Sequence, residues 1–511
     1  MMMNSTYLPL WWEAAGLTLA IYSLGLAFYR LFLHPLARFP GPKLAAITRW
    51  YEAYYDLILD GQYTFKIAEL HKTYGPIIRI SPHELHVIDP AFYEKLYCQE
   101  GRWDKYQWAC NGFLAEGATI CTSVHELHQA RRAPLNHFFS KAKVAARQEI
   151  IIRHVEKLCN RIEGFVGGTV NLGAACSALI HDAHCEFVIN RVNGSLDKED
   201  FNSALAGMCL NVGFLWRVGK HFHKISLALK RIPLDFVAKL SNEDVRIFFD
   251  FLQGVDRDTE ALLKSATSPS AKQDAGPRTV VHEIAESNLD PSDKELSRLL
   301  NEVQTVVAAG LETVSSVMRV TFYHVFSNPE ILRRLREELK TVGTDTSPGG
   351  NMLELKQLER LPYMTAIIME ALRLSPGIAT RMGRMLHDKD LVYDKWCIPA
   401  GTPVGMTTIL MHTDETLYPD PFTFNPDRWM DLEKRKTAGK TFAPFSRGSR
   451  MCVGFHLAWA DLYISLAALA TRFDFEFQNT QSSDFKVLRD DFVVGTKCGS
   501  TLTCHVSLHE T

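Results

Sequence analysis

FSRGSRMCVG, residues 445–454, holds Cys452 in a stretch that is poor in the side chains that normally fill a protein core. Gly448 and Gly454 indicate a backbone that turns sharply and comes close to another group. Two arginines in the same stretch indicate a nearby anion. A thiolate in such a loop is a candidate nucleophile, metal ligand or redox switch, and the rest of the chain has to distinguish these chemistries.

The bulk composition is that of an ordinary globular protein. The chain has 511 residues, of which 46% are hydrophobic and 22% charged, and its net charge is −2. This balance gives no indication of a nucleic-acid partner. The 11 cysteines form no CxxC pair and no dense framework, so neither a zinc module nor a disulfide scaffold is indicated. An odd number of scattered thiols fits a reducing compartment.

The N-terminal segment differs from the rest of the chain. Residues 14–33 are almost all apolar, and about 20 such residues match the thickness of a bilayer core. Tryptophans precede this run and basic residues follow it, which predicts a single span with the large C-terminal part in the cytosol. We expect a lumenal segment (1–13), the anchor, a proline-rich hinge (34–44) and a folded body (45–511). The alternative is a cleaved signal peptide, although no small-residue cleavage site follows the run.

The body is predicted to be mainly α with a small β portion, in one large domain. Residues 292–326 have the pattern of a long helix that is nearly all apolar in its middle, which predicts burial through the centre of the body. Short β-like runs lie at 76–81, 83–89 and 391–406. A polar stretch at 265–279 is interpreted as a surface linker between helices.

Inside the predicted long helix, the sequence AAGLET (308–313) interrupts the apolar pattern. Gly310 costs up to about 1 kcal/mol relative to alanine in a helix interior. Glu312 and Thr313 add a carboxyl and a hydroxyl, and the hydroxyl can bond to the carbonyl four residues earlier. Together these residues predict a notch bordered by groups that handle protons. Taken alone, they fit better a packed glycine contact beside a satisfied threonine.

Three charged residues form a second constellation. Glu370 and Arg373 are spaced i, i+3 and therefore share one helix face. Arg428, in the sequence FNPDRW, offers a third charge from an irregular segment. If buried together, the three would join distant parts of the chain and specify geometry more than stability. An ordinary surface ion pair is the alternative for the first two residues.

The opening stretch has the pattern F-x-x-G-x-R-x-C-x-G, and the sequences AGxET, ExxR and FxPxRW precede it in that order. These motifs resemble those of the cytochrome P450 superfamily of haem-thiolate monooxygenases, and the resemblance covers nearly the whole chain. It implies the cytochrome P450 fold after one N-terminal transmembrane helix. Residues 71–97 and 128–141 are similar to trichodiene-oxygenase-like enzymes of fungal secondary metabolism.

The resemblance implies haem b as the cofactor and Cys452 as the proximal thiolate ligand of its iron. A thiolate in that position pushes electron density toward cleavage of the O–O bond. A helix follows the cysteine, and its dipole and nearby N–H groups favour the thiolate. Gly448 would permit the turn, Gly454 the close approach of backbone to porphyrin, and Phe445 would shield the sulfur.

The same resemblance assigns donors to the two haem propionates. Arg450, Arg384 and Arg132 match propionate contacts of the family. His128 stands where relatives have tryptophan, and its imidazole can still donate a hydrogen bond. Arg447 has no counterpart in this set, which leaves it to face a partner.

On the distal side, the resemblance gives roles to the AGxET residues. Gly310 would leave room for dioxygen, Thr313 would donate a hydrogen bond to the oxygen under activation, and Glu312 would supply protons. Relatives usually have a second hydroxyl residue after the threonine. Here Val314 takes that place and Ser315 follows, so the solvent relay is expected to differ.

Electrons must come from outside, because the chain carries no flavin or nicotinamide fingerprint. The resemblance implies NADPH-cytochrome P450 reductase as the partner, with cytochrome b5 as a second candidate, and residence in the endoplasmic reticulum membrane with the catalytic domain facing the cytosol. Residues 433–440, with Arg447 and Lys141, are a candidate basic docking surface for an acidic partner. A plain solvated loop is the alternative.

The predicted function is insertion of one oxygen atom from O2 into a lipophilic substrate, such as a terpenoid, a polyketide or an alkaloid. Candidate substrate walls are the largely apolar segments 105–120, 208–216, 376–380 and 493–496. Two alternatives remain at this point. One is a reductase-independent haem-thiolate isomerase or dehydratase, and the other is a non-catalytic membrane-tethered haem-binding protein.

Overall fold

The computed structural model describes residues 7–230, 232, 243–268, 277–343 and 354–510. Helices dominate it, as predicted. The longer α-helices are α1 (Tyr7–Phe28), α2 (Tyr63–Tyr74), α3 (His125–Phe138), α4 (Gln148–Glu163), α5 (Leu172–Ile189), α6 (Ser203–His221), α7 (His223–Lys230), α8 (Glu243–Thr267), α9 (Leu296–Phe326), α10 (Pro329–Lys340), α11 (Pro362–Leu374) and α12 (Phe455–Arg472). Shorter α-helices are Lys43–Ile47, Trp50–Ala53, Tyr93–Leu96, Gln107–Cys110, Lys141–Ala146, Val280–Ala285, Leu355–Leu358, Thr408–His412 and Leu432–Ala438.

The strands form a smaller β portion beside the helices. They are β1 (Ile77–Ser81), β2 (Glu84–Val87), β3 (Trp103–Lys105), β4 (Thr169–Asn171), β5 (Arg384–Leu386), β6 (Leu391–Tyr393), β7 (Trp396–Ile398), β8 (Val404–Gly405), β9 (Phe473–Phe477), β10 (Val487–Asp491), β11 (Val493–Thr496) and β12 (Thr503–Leu508). The largest sheet has the order β1-β2-β8-β5-β3, in which β2 and β8 run parallel. The predicted β runs at 76–81, 83–89 and 391–406 are confirmed.

Helix α9 runs through the centre of the helical body and packs against α5, α8, α11 and α12. It begins at Leu296 and not near residue 292, because Pro291–Lys294 form a 3-10 turn and Glu295 is extended. The end at Phe326 is as predicted. Asn328 then caps α10, since its side chain accepts hydrogen bonds from two backbone N–H groups of that helix.

At the N-terminus, α1 continues into a π-helical turn, Tyr29–Leu33. Among the described residues, one segment, Trp11–Leu33, is long and apolar enough to cross a membrane, with a mean hydropathy of 1.5 and no buried share. The predicted anchor lies within it. The proline-rich hinge then contacts the body, because the carbonyl of Pro40 accepts from the N–H of Arg79 at 2.7 Å. The domain boundaries themselves stay a prediction.

The polar stretch predicted as a linker lies partly outside the described residues. Helix α8 ends before it and the short helix Val280–Ala285 begins after it. Residues 269–276 of the predicted linker lie outside the described residues.

The Glu370 cluster joins α11 to the irregular segment before the cysteine loop. Both Glu370 and Arg373 are completely buried, and Arg373 donates to the two carboxylate oxygens at 2.7 and 2.9 Å. Arg428 donates to the same carboxylate at 3.2 Å, and Trp429 Nε1 donates at 2.9 Å. Arg373 also donates to backbone carbonyls of His412 and other residues of the segment. The predicted three-residue clamp is therefore confirmed, with Trp429 as a fourth member.

Glu370→Ala is expected to lower the free energy of unfolding by about 3–5 kcal/mol, because it leaves Arg373 buried without its counter-ion. Urea unfolding of the haem-loaded protein measures this change. Glu337→Ala is the matched control, since its pair with Arg333 is well exposed and contributes at most about 1 kcal/mol. Equal midpoints for the two variants would contradict the clamp.

Candidate active site

The cysteine loop is a tight turn that ends at the start of α12. The N–H of Cys452 donates to the carbonyl of Phe445 at 2.9 Å, which closes the loop. Gly448 has φ +75°, and a Cβ there would overlap the backbone carbonyl of Cys98. Only glycine fits both the conformation and the space, so the turn predicted at this position is present.

Cys452 borders an interior cleft. Its side chain has accessible surface although protein surrounds the sulfur, and this burial raises the pKa of the Cys452 thiol. The N–H of Gly454 and the charge of Arg132 act in the opposite direction. A Cβ at Gly454 would meet no described atom within 4 Å. The backbone after the cysteine is therefore open to the close approach of a flat group.

The middle of α9 borders open space as well. Ala308 and Ala309 are exposed although α9 is the central helix of the fold. Thr313 donates to the carbonyl of Ala309 at 2.8 Å, the back-bond that the sequence predicts. Exposed alanines in the middle of a central helix indicate that a cleft for a ligand lies beside the helix, and not a solvated surface.

Glu312 points to a different side of α9 from Thr313. It is buried and ion-paired with Arg319 two turns later on the same helix. Burial raises the pKa of the Glu312 carboxyl, and Arg319 opposes that shift. Gly310 faces α5, where a Cβ would overlap the ring of His184. The contact that the structure shows for Gly310 is thus helix packing, and room for dioxygen at this residue stays a prediction.

Four cationic side chains from separate segments lie near one another. Arg384 is buried and Arg450 half-buried, and besides burial the charges of Arg384 and Arg132 both lower the pKa of Arg450. All four cations, Lys105 included, act on the same neighbour, His128. Burial lowers the pKa of Arg450 to about 10 and also lowers the pKa of Arg384. Within the described ranges, none of the four has an ion pair with a carboxylate. Such a cluster indicates a missing polyanionic partner.

The neutral member of this cluster is His128. Burial, followed by the charge of Arg450, lowers the pKa of His128 to about 2. Its Nδ1 is buried without a hydrogen-bond partner in the described part of the chain. His128 Nδ1 lies beside cations that have no carboxylate partner. It is therefore suited to donate a hydrogen bond to a bound anion.

Contacts link the four predicted substrate walls to one another, and one of the walls contacts Thr313. Gly377 lies against this threonine, with a Cβ position 3.4 Å from the threonine Cβ. Backbone hydrogen bonds of 2.9 and 3.1 Å join residues 377–379 to residues 492–494. The ring of Phe492 packs on Phe113 at 4.5 Å and on Trp216 at 5.4 Å. The four segments are therefore linked through Phe492 and its neighbours. The side chains of residues 208–211 lie outside the description.

Comparison with known proteins agrees with this geometry. The family model for Cytochrome P450 matches residues 49–501. The chain belongs to the cytochrome P450 family. It is 36% identical to Cytochrome P450 monooxygenase MO6277 of Ascocoryne sarcoides, over 93% of this chain and 94% of that protein. It is 33% identical to Cytochrome P450 monooxygenase TRI4 of Fusarium sporotrichioides, over 95% and 93%. The tryptophan 6-hydroxylase fscE of Fusarium equiseti is 35% identical, over 95% and 94%.

The P450 family binds haem b through a cysteine thiolate, and the residues present fit that group. Cys452 would supply the thiolate, Gly454 leaves room for a flat ring, and the unpaired cations match two carboxylates. Membership of the family favours an iron ligand over the nucleophile and redox-switch interpretations of Cys452, and the role of Cys452 as that ligand stays a prediction. The shielding role of Phe445 and the individual propionate contacts of Arg450, Arg384, Arg132 and His128 stay predictions.

The structure adds Lys105 to the cations that match the haem carboxylates. The sequence alone predicts this lysine only as part of a substrate wall. Lys105 lies at the end of β3, is 5% exposed, and donates to the carbonyl of Ile120 at 2.7 Å. Burial lowers the pKa of its ammonium. Its position depends on the pairing of β3 with β5, which opposes Lys105 to Arg384. A single lysine in the sequence carried no signal of that pairing.

The prediction that Arg447 is free for a partner is wrong. Arg447 pairs with Glu94 at 2.9 Å and also donates to the carbonyls of Gly439 and Phe442. Lys141, the other flanking residue of the predicted docking surface, pairs with Glu359 at 2.8 Å. The side chain of Lys434 lies outside the described residues. Docking of a reductase at 433–440 stays a prediction.

One other group of described side chains has metal-ligand character: Glu52, Asp56 and His221. Lys220 lies 3.0 Å from the Glu52 carboxylate and 2.7 Å from that of Asp56. Arg381 adds a second cation to Glu52 at 3.0 Å. These carboxylates are already compensated by cations, so the group is an ionic network that holds α6 to the first turns of the body.

Cys452→Ala is expected to abolish the red-shifted Soret band of the reduced carbon-monoxide complex, since that band requires a thiolate ligand. Cys397→Ala is the matched control, because Cys397 is exposed on β7. Absorption spectra of the two purified variants decide the assignment. Persistence of the band in Cys452→Ala would overturn it.

Arg384→Gln is expected to weaken haem binding by about tenfold to a hundredfold, because a charge-assisted hydrogen bond contributes about 1.5–3 kcal/mol. The rate of haem transfer to an excess of apomyoglobin measures the loss. Arg334→Gln, which alters an arginine paired with Asp427 on the surface, should leave that rate unchanged. An unaltered rate in Arg384→Gln would exclude it as a propionate donor.

Proposed function

We propose that this P450 monooxygenase inserts one oxygen atom from O2 into a lipophilic intermediate of fungal secondary metabolism, a terpenoid, a polyketide or an alkaloid. The observation that carries the proposal is the set of contacts that links an aromatic cluster to Thr313. The rings of Phe113, Trp216 and Phe492 pack together. The backbone of Phe492 bonds to the segment 377–379, whose Gly377 lies against Thr313. Such walls favour a substrate that is largely apolar.

The names of the relatives support oxygen insertion as the reaction. Most are monooxygenases, and two are hydroxylases of tryptophan and N-acetyltryptophan. Hydroxylation is therefore the form of oxygen insertion that we propose first. An aromatic alkaloid fits the ring-lined walls as well as a terpenoid does.

Haem b supplies the oxygen chemistry when bound, and the residues of the chain supply position and protons. Thr313 lies at the cleft, held by its bond to the Ala309 carbonyl, so its hydroxyl is oriented before a substrate arrives. Glu312, the adjacent residue, holds a carboxyl with a raised pKa and so is suited to carry a proton. The apolar walls exclude bulk water from the same place.

Electrons are proposed to come from NADPH through a membrane-bound reductase, with cytochrome b5 as a second candidate donor. The N-terminal segment Trp11–Leu33 supports attachment to a membrane. We propose the endoplasmic reticulum membrane, with the body in the cytosol, because basic residues follow the apolar run. A tethered body would share the membrane surface with its electron donor.

The intact pair Glu312 and Thr313 favours oxygen activation over the reductase-independent isomerase or dehydratase alternative. Those reactions rearrange an oxygenated substrate and need no delivery of external protons. A purely structural haem-binding protein would likewise gain nothing from a carboxyl buried in the central helix, next to Thr313 in the sequence, at the cost of desolvation.

Metabolite comparison between producing and deletion strains identifies the substrate, which is then supplied to full-length enzyme with reductase and NADPH. Thr313→Ala is expected to lower product formed per NADPH roughly tenfold or more, since positioned proton donors contribute strongly to such transfers. Thr321→Ala is the matched control, because Thr321 makes the same back-bond on α9, at 2.8 Å, but is buried two turns away.

Three outcomes separate the functions. Product that depends on both NADPH and reductase supports the monooxygenase. Turnover without NADPH would replace it with the isomerase or dehydratase. Neither oxygen consumption nor a change in iron spin state with lipophilic ligands would identify a non-catalytic haem-binding protein.

A further inference from the structure

A small cavity lies between α9, α5 and the start of α6. It has a volume of about 20 Å³, which is room for about one water molecule. Its lining comes from α5, from the turn Ser195–Asp197, from the start of α6 and from α9 itself. Glu312 is the acidic residue in that lining, so the cavity touches the carboxyl next to Thr313.

Hydrogen-bonding side chains line the cavity on the side opposite Glu312. His181 Nδ1 lies 2.6 Å from Ser195 Oγ, and Asn202 Nδ2 donates to the same oxygen at 3.1 Å. His181 is deeply buried, whereas Asn202 is half-exposed. The three side chains thus form a chain from near the surface to the cavity.

The other nitrogen of His181 is unsatisfied. Its Nε2 is buried and has no hydrogen-bond partner among the described residues, although the ring lines the cavity. A buried polar atom without a partner, beside a cavity the size of a water molecule, is the usual setting of an internal water. That water has a second partner available in the carboxylate of Glu312.

The turn that presents Ser195 is fixed by a buried carboxylate. Asp182 accepts hydrogen bonds from the N–H groups of Ser195 and Leu196, both at 2.9 Å. Asp182 is 1% exposed and follows His181 directly on α5. The spacing between the imidazole and the serine hydroxyl is therefore held by the backbone and does not depend on a flexible side chain.

Along α9 itself, Val314 follows Thr313, and the Ser315 hydroxyl is buried and bonded to the carbonyl of Leu311. Neither residue offers Glu312 a free hydroxyl. The cavity side offers the connected polar groups.

We propose that Ser195, His181 and one internal water form a proton relay that supplies Glu312 from solvent, with the Asn202 amide orienting the serine hydroxyl. The proposal rests on the proposed monooxygenase function and names the entry path for its protons. A solvent proton reaches the serine oxygen as the hydroxyl passes its own proton to Nδ1 of His181, and Nε2 of His181 releases a proton through the water to the carboxylate. His181 acts through Glu312 and is a positioning residue, not a group that touches substrate or cofactor.

The chemistry of oxygen reduction provides a test that needs no identified substrate. With NADPH and reductase alone, release of superoxide consumes one electron and no proton, whereas release of hydrogen peroxide consumes two electrons and two protons. All electrons come from NADPH, and the protons come from solvent. The ratio of the two products therefore reports proton delivery separately from electron delivery.

In the full-length haem-loaded enzyme, His181→Phe is expected to raise the ratio of superoxide to hydrogen peroxide about tenfold or more. Glu312→Gln should give a similar rise, and the double variant should add little, because both changes break one path. His324→Phe is the matched control: it alters a buried histidine on α9 that stacks on Phe424, and it should leave the ratio unchanged. Ser195→Ala, which removes only a hydroxyl, replaces His181→Phe if that variant fails to take up haem.

A crystal structure of the haem-loaded wild type provides the second measurement. We expect one ordered water within hydrogen-bond distance of both His181 Nε2 and the Glu312 carboxylate. An empty cavity, an unchanged product ratio or fully additive effects would each overturn the relay. Absence of oxygen consumption in the wild type would instead overturn the proposed function, and the crystallographic result would still decide whether the water is present.

Discussion

Uncompensated positive charge near the cysteine loop is the constraint on which the site depends. Lys105, Arg132, Arg384 and Arg450 come from segments far apart in the chain, and within the described residues none is paired with a carboxylate. Charges buried in this way destabilise a fold unless an anion completes them. The two propionates of haem would meet that need. Cofactor binding and the final packing of β3, β5, α3 and the cysteine loop are thus expected to be coupled.

Different faces of the central helix α9 border the cleft and the neighbouring helix α5. Ala309 and Thr313, four residues apart, share the face that borders the cleft. Gly310 and Glu312 lie on the faces toward α5, where they meet His184 and the small cavity. One helix thereby separates the cleft beside Thr313 from the small cavity beside Glu312, although residues 312 and 313 are adjacent in the chain. A helix of this kind must be held firmly, which its packing against α5, α11 and α12 achieves.

Much of the site follows from short motifs. Local sequence identifies three groups, because each is part of a short and specific motif. They are the loop around Cys452, the pair Glu312 and Thr313, and the Glu370 cluster. The ends of helices are harder to predict. Helix α9 starts later than predicted, because residues Pro291–Lys294 form a 3-10 turn instead of the first turn of the helix. The sequence gives no sign that Arg447 is ion-paired, because its partner, Glu94, is 353 residues away in the chain.

The sequence by itself determined the largely helical class and the family, and it predicted the thiolate ligand and the membrane-anchoring segment, because these depend on local pattern and composition. Only the tertiary structure decided which charges lack a counter-ion, which apolar segments meet at Phe492, and which buried histidine faces Glu312 across a cavity. Those facts depend on strand pairing and helix packing between distant segments. Hydrophobic periodicity tells which face of a helix is buried, but not which neighbour covers it.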